Sequence, residues 1–172
     1  MTKIINLFAG PGAGKSTTAA GIFHLLKVAG YNCELVHEFA KDLTWRDRQN
    51  TLRIQPYVFG KQLERIESLL DKVDIIVTDS PILLSAIYVE GSKYPPSFAR
   101  SVVEIFRLFD NYNYFLWRSK EYLQIGRSQT LAQSQLLDHR IRELLVVEDI
   151  KYFPLVGNSD APKAIVKNFM ES

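Results

Sequence analysis

An α/β fold is what this sequence predicts, built as three layers, α/β/α, around a five-stranded parallel sheet. Three observations carry that expectation. Short apolar runs of β type alternate with longer runs of helical period along the whole chain. The strand candidates are largely apolar rather than alternating, the pattern of strands covered on both faces. The 172 residues, 47% apolar and 23% charged, suit one domain, residues 1–172, with a core of its own.

The elements follow in order. Ile4-Ile5-Asn6-Leu7-Phe8 is the first strand, ended by Gly10-Pro11-Gly12. From Lys15 to Val28, Ala19, Ala20, Ile22, Phe23 and Leu26 recur at helical spacing, and Gly30 supplies the stop. Cys33 to Val36 is a second short strand, whereas Lys41 to Ile54 has no clean period. Pro56 fits the first turn of a helix with Val58, Leu63, Ile66, Leu69 and Leu70 on its apolar face. Asp74 to Asp79 is the strongest strand, and Leu83 to Val89 a helix cut off by Gly91. Ser97 is placed to cap a helix running through Phe109; the aromatic-rich segment Phe98 to Tyr114 suits core or a dimer face, core being the better reading. Tyr114 to Trp117 is the fourth strand and Leu131 to Val146 an amphipathic helix. Tyr152 to Val156 is the fifth strand, and Pro162 to Met170 closes the chain as a helix. Parallel neighbours require right-handed crossovers.

Charge and cysteine usage exclude several classes. Lys plus Arg is 21 and Asp plus Glu 19, a formal +2 that is no nucleic-acid signature by itself. Cys33, the one cysteine, has no internal partner for a disulfide, which fits a reducing compartment. No apolar run approaches the roughly 18 residues of a membrane span. The block Ile4 to Phe8 is too short for a signal peptide. A cytoplasmic protein without a membrane partner is expected.

Ala9-Gly10-Pro11-Gly12-Ala13-Gly14-Lys15-Ser16-Thr17 follows a strand and opens a helix, the setting of a phosphate-binding loop. Glycines at 10, 12 and 14 let backbone N–H groups turn inward around phosphate oxygens. The helix start adds its dipole. Gly10, Pro11, Gly12, Ala13, Gly14, Lys15, Ser16 and Thr17 are therefore the candidate nucleotide-binding residues. Lys15 can reach the β- and γ-phosphates of ATP, and the Ser16 hydroxyl can join a Mg²⁺ shell. Ala9 stands where the usual pattern has its first glycine, a position that needs only a small residue.

Other candidates sit where ligands bind in such sheets, at the carboxyl ends of the strands. Asp79, at the end of the third strand, suits a water-mediated hold on Mg²⁺; its alternative is a helix cap. Glu38, after the second strand, suits a general base or an orienting group for an acceptor hydroxyl; its alternative is a helix-start carboxylate. Arg118 and Arg127, with Lys120 between them, suit a lid over about residues 118–130 that neutralises a phosphoryl group in flight, Gly126 giving it a bending point. Their alternative is a solvated basic face paired with Glu121. His24, His37 and His139 read as solvent-facing or core histidines, and Arg140 and Arg142 as surface or ion-pair residues.

Taken together these motifs resemble the P-loop nucleoside and nucleotide kinases, in the small AAA-domain form common in phage genomes. Gly10 to Thr17 resembles the phosphate loop of deoxyribonucleoside kinases. His37-Glu38-Phe39 with Trp45 resembles that family's strand-two glutamate and downstream tryptophan, though with a longer gap; the resemblance implies an orienting Glu38 and a Trp45 that lines the nucleoside pocket. Ile54-Gln55-Pro56-Tyr57-Val58 resembles its Phe-Gln-x-Tyr-Val helix, which implies base pairing by Gln55 and a pocket-lining Tyr57. Leu116-Trp117-Arg118 and Arg127 resemble its post-strand arginine and lid. Asp79-Ser80-Pro81 departs from the family's Glu-Arg-Ser or Asp-Arg, so an arginine for the acceptor end is missing there.

The reading implied is a Mg·ATP-dependent transfer of the γ-phosphate to a nucleoside or nucleoside monophosphate. A hydroxymethylated base in DNA is the rival acceptor, with Arg46, Arg48, Arg53 and Lys61 as the basic groove it would need. A P-loop ATPase or switch without an acceptor is the rival class, weakened by the absence of an Asn-Lys-x-Asp run. A noncatalytic nucleotide-binding module is opposed by the intact Lys15, Ser16 and Asp79. A homodimer is compatible with the sequence and unsigned in it.

Overall fold

The computed structural model describes residues 1–119 and 130–171. Its strands are β1 (Lys3–Phe8), β2 (Cys33–Val36), β3 (Ile75–Thr78), β4 (Asp110–Trp117) and β5 (Phe153–Val156). Every pair is parallel and the order is β2-β3-β1-β4-β5, so the phosphate-loop strand lies in the middle. The helices are α1 (Lys15–Val28), α2 (Phe39–Trp45), α3 (Gln49–Leu52), α4 (Gln55–Glu67), α5 (Leu84–Tyr88), α6 (Pro96–Phe106), α7 (Leu131–Val147) and α8 (Ala161–Met170).

Two apolar clusters make the three layers. Successive strand residues point to opposite faces, so Ile4, Phe8, Ile76 and Phe115 join one cluster with α4 to α7. Ile5, Leu7, Ile75, Val77 and Leu116 join the other with α1 and α8. Cys33 is fully buried in the second cluster, beside Ala19, Ile22 and Leu26 of α1. Asn6 is the polar residue inside β1. Its amide donates to Asn111 Oδ1 (2.8 Å) and Asn113 Oδ1 (3.1 Å) of β4, which satisfies it without water.

Several expectations change in detail. β4 begins at Asp110, because its first residues pair with Lys3 and Ile4 although their side chains are polar. The N-cap of α6 is Pro95 and its last residue Phe106, not Ser97 and Phe109. Leu69 and Leu70 lie beyond α4, in the turn that leads to β3, and still pack on the core. The unassigned stretch Lys41 to Ile54 contains most of α2 and all of α3. The aromatic segment after Ser97 is core, with Phe98 edge-on to Phe59 at 5.7 Å.

Candidate active site

The loop between β1 and α1 takes its shape from two glycines with left-handed backbone, Gly12 (φ 77°) and Gly14 (φ 93°). Gly10 is different. Its φ is not positive, and a Cβ there would sit against the backbone carbonyl of Ser134 on α7 and 2.8 Å from its hydroxyl. Close packing of a helix, rather than chain reversal, requires a glycine at 10. Gly157, after β5, is pressed on the loop from the other side; a Cβ would lie 2.5 Å from Ala13 O.

A polar brace on α7 holds this loop. Asp138 Oδ1 accepts the Gly10 N–H, and Asp138 Oδ2 accepts Arg118 Nη2 at 3.0 Å. Arg118 Nη1 donates to Pro11 O at 2.6 Å, and the buried Ser134 hydroxyl donates to the same carbonyl at 2.7 Å. Both charged side chains of the brace are nearly buried, 12% and 16% exposed, where an ion pair with hydrogen bonds is worth more than at a surface. Sequence reasoning missed Ser134 and Asp138. Their i, i+4 spacing on one face of α7 was the available signal, but it points at nothing until the partner surface is known.

In front of the loop lies a cavity of about 1000 Å³. Pro11, Gly12, Gly14, Lys15, Ser16 and Thr17 form one part of its wall; Gly10 and Ala13 do not reach it. The remaining described lining falls between Glu38 and Tyr94, so the cavity opens on the β3 and β2 side of the loop. Lys15 Nζ lies on the loop carbonyls, 2.7 Å from Ala9 O and 3.1 Å from Gly10 O. Burial lowers its pKa, while the carboxylates of Glu38, Asp79 and Asp138 pull it back up.

Glu38 and Asp79 are brought together by the pairing of β2 with β3. Val36 stands opposite Thr78, so the residues just beyond each strand end are neighbours, and the Glu38 N–H donates to Asp79 Oδ1 at 3.1 Å. Asp79 is 3% exposed and caps no helix, since Leu83 holds the N-cap position of α5. Glu38 occupies the N-cap position of α2 without a side-chain cap bond, and lines the cavity. Burial raises its carboxyl above the ordinary range; Lys15 acts against that and Asp79 with it. Gln62, 4% exposed on α4, fixes the turn by accepting the Phe39 N–H at 2.9 Å.

Trp45 and Gln55 also line the cavity, Trp45 with 64% of its surface exposed and Gln55 with its amide on Leu52 O at 2.9 Å. Tyr57 does not. One residue from Val58, it turns to the α2 side of α4 and stacks edge-on to Phe39 at 5.7 Å. Tyr88, at the end of α5, and Lys93 and Tyr94, on the α5–α6 connection, reach the wall, and none was singled out by motif. Of the proposed basic groove only Arg53 lines the cavity; Lys61 is paired with Glu64 instead. Arg140 pairs with Glu90, Arg142 lies over the Trp117 ring at 4.7 Å, and all three histidines face solvent. Arg127, Lys120 and most of the expected lid lie outside the described residues.

A family model described as an AAA domain matches residues 4–160. The chain belongs to that family. Among solved structures, deoxyadenosine kinase from M. mycoides with bound dATP matches this AAA domain with a TM-score of 0.61 at 16% identity, over 98% of this chain and 100% of that one. The same kinase with the products dCMP and a flexible dCDP gives 0.57 at 17%, over 98% and 97%. The AAA domain thus shares the P-loop kinase-like fold across nearly its whole length. No curated protein matches it in sequence. Among the described residues, no helix of the AAA domain is long and apolar enough to cross a membrane.

Proposed function

We propose that this AAA domain is a Mg·ATP-dependent phosphotransferase that moves the γ-phosphate to a hydroxyl of a nucleoside or nucleoside monophosphate. The observation that carries the reading is the meeting of Lys15, Glu38 and a cavity of about 1000 Å³ on the acceptor side of a phosphate loop. A switch or simple ATPase has no need of that room.

The donor set fits Mg·ATP. The loop brings Lys15 and Ser16 to the cavity wall, with Asp79 at the neighbouring strand end. Among the described residues no three His, Cys, Asp or Glu side chains gather as a closed metal cage. Mg²⁺ does not need one, because it is held by one or two protein oxygens plus substrate phosphates. Ser16 and Asp79 would hold it, directly or through water, and when bound it neutralises charge on the phosphates.

In the transfer the acceptor oxygen attacks the γ-phosphorus, the bond to the β–γ bridging oxygen breaks, and ADP leaves. Glu38 takes the hydroxyl proton, and its raised pKa brings it nearer the working pH of a general base. Lys15 follows the γ-phosphate charge. Gln55 and Trp45 face the acceptor base. Arg118 acts through the loop it braces, and Arg127 supplies positive charge to the group in flight.

Labelled γ-phosphate from ATP, offered to nucleosides, nucleoside monophosphates and hydroxymethylated DNA, tests the proposal. Transfer that disappears in Lys15→Ala supports it. Phosphate release with no labelled acceptor would replace it with an ATPase. Arg127→Gln is expected to lower kcat while ATP binding is unchanged.

A further inference from the structure

The cavity wall is unevenly charged. Among the described residues, Lys15, Lys41, Arg53 and Lys93 line it against one carboxylate, Glu38. Lys15 belongs to the phosphate loop, and Lys41 lies close enough to Glu38 to act on its charge. That leaves Arg53, at the α3–α4 junction, and Lys93, on the α5–α6 connection, with no carboxylate partner among the described residues. Lys93 lies 5.5 Å from the Tyr94 ring, which also lines the wall, so its ammonium is carried on an aromatic flank rather than an acidic one. Both cations stand away from the loop in sequence and on elements that follow β2 and β3, the side of the sheet where the acceptor has its room.

A neutral nucleoside gives such cations nothing to pair with, whereas a phosphate matches the forked guanidinium and the ammonium. We infer that the acceptor is a mononucleotide, and that Arg53 and Lys93 hold its phosphate. This deepens the kinase reading and rests on it for the word acceptor, but the binding site it names is independent of turnover. A nucleic acid strand fits less well, because the other cations of a would-be groove are elsewhere: Lys61 is paired with Glu64, and neither Arg46 nor Arg48 lines the cavity.

Equilibrium binding without ATP is the test, using one nucleoside, its 5′- and 3′-monophosphates, and a short single-stranded oligonucleotide. At least one monophosphate is expected to bind about tenfold or more tighter than the nucleoside, the value of one charged hydrogen bond. In Arg53→Gln and Lys93→Gln that preference should collapse towards unity, while Arg48→Gln, off the cavity, keeps it. ATP binding by each variant reports that the fold is intact. Equal affinity for nucleoside and monophosphates overturns the inference, as does a preference that survives both cavity substitutions. Tighter binding of the oligonucleotide than of either monophosphate overturns the mononucleotide as occupant. Tight, Arg53-dependent monophosphate binding without any phosphoryl transfer would keep this site and remove the kinase reading.

Discussion

Glu38 is the residue whose chemistry is most open to measurement. Burial disfavours its charged form, so its protonated form favours the fold. That stabilising contribution is complete below the ordinary glutamate pKa of about 4.3 and is lost as pH rises through the higher folded value. Glu38→Gln should therefore be more stable than the native chain at neutral pH, the difference vanishing below about pH 4 in thermal melts. Its catalytic consequence has the opposite sense, since a proton acceptor must be ionised. The acid limb of kcat/KM is expected above the usual glutamate range and should be absent from whatever activity the Gln variant keeps. Glu38 was legible in the sequence because it follows a strand at a sheet's carboxyl edge. The hydrogen bond of its amide to Asp79 was not, since strand adjacency is nowhere written in local pattern.

At the scale of elements, α7 and the phosphate loop behave as one unit. Gly10→Ala would push a methyl into the Ser134 backbone, which has no rotamer to yield. Overpacking of this kind costs about 1–3 kcal/mol, to be read by denaturant unfolding, and the displaced loop should raise KM for ATP. Asp138→Asn leaves the Gly10 N–H an acceptor but takes the charge from Arg118, so it should cost roughly 2 kcal/mol and weaken ATP binding more than acceptor binding. A calorimetric titration with each substrate separates the two. The elements themselves were largely readable, because long periodic segments such as Lys15–Val28 and Leu131–Val147 dominate the chain. The short helices α2 and α3 were not. One buried residue, Leu43, serves both, too few for any period to show, yet these helices wall the cavity.

For the whole molecule, the sheet divides two cores. Ile4 and Ile5 are consecutive, nearly inaccessible, and belong to opposite clusters. Each Ile→Val change should cost about 1 kcal/mol. The double variant is expected to lose the sum within about 0.5 kcal/mol, because the two side chains pack in separate clusters on opposite faces of the sheet. A larger departure in chemical denaturation would mean that the layers relax together through the strand. The class of fold and the number of strands were visible in apolar runs. The order β2-β3-β1-β4-β5, and with it the meeting of Glu38 with Asp79 and of Gly10 with α7, emerges only when the chain is assembled.

Cys33 turns this architecture into an instrument. Its sulfur is sealed beneath α1, the helix that begins at the phosphate loop, and burial keeps the thiol in its unreactive protonated form. A thiol reagent reaches it when α1 lifts from β2, an opening that takes the start of the loop's helix with it. Nucleotide that binds the closed form should slow labelling by the factor 1 + [L]/Kd. The rate at which one sulfhydryl disappears then gives the affinity of the unmodified chain for ATP, with no turnover, no acceptor and no engineered label.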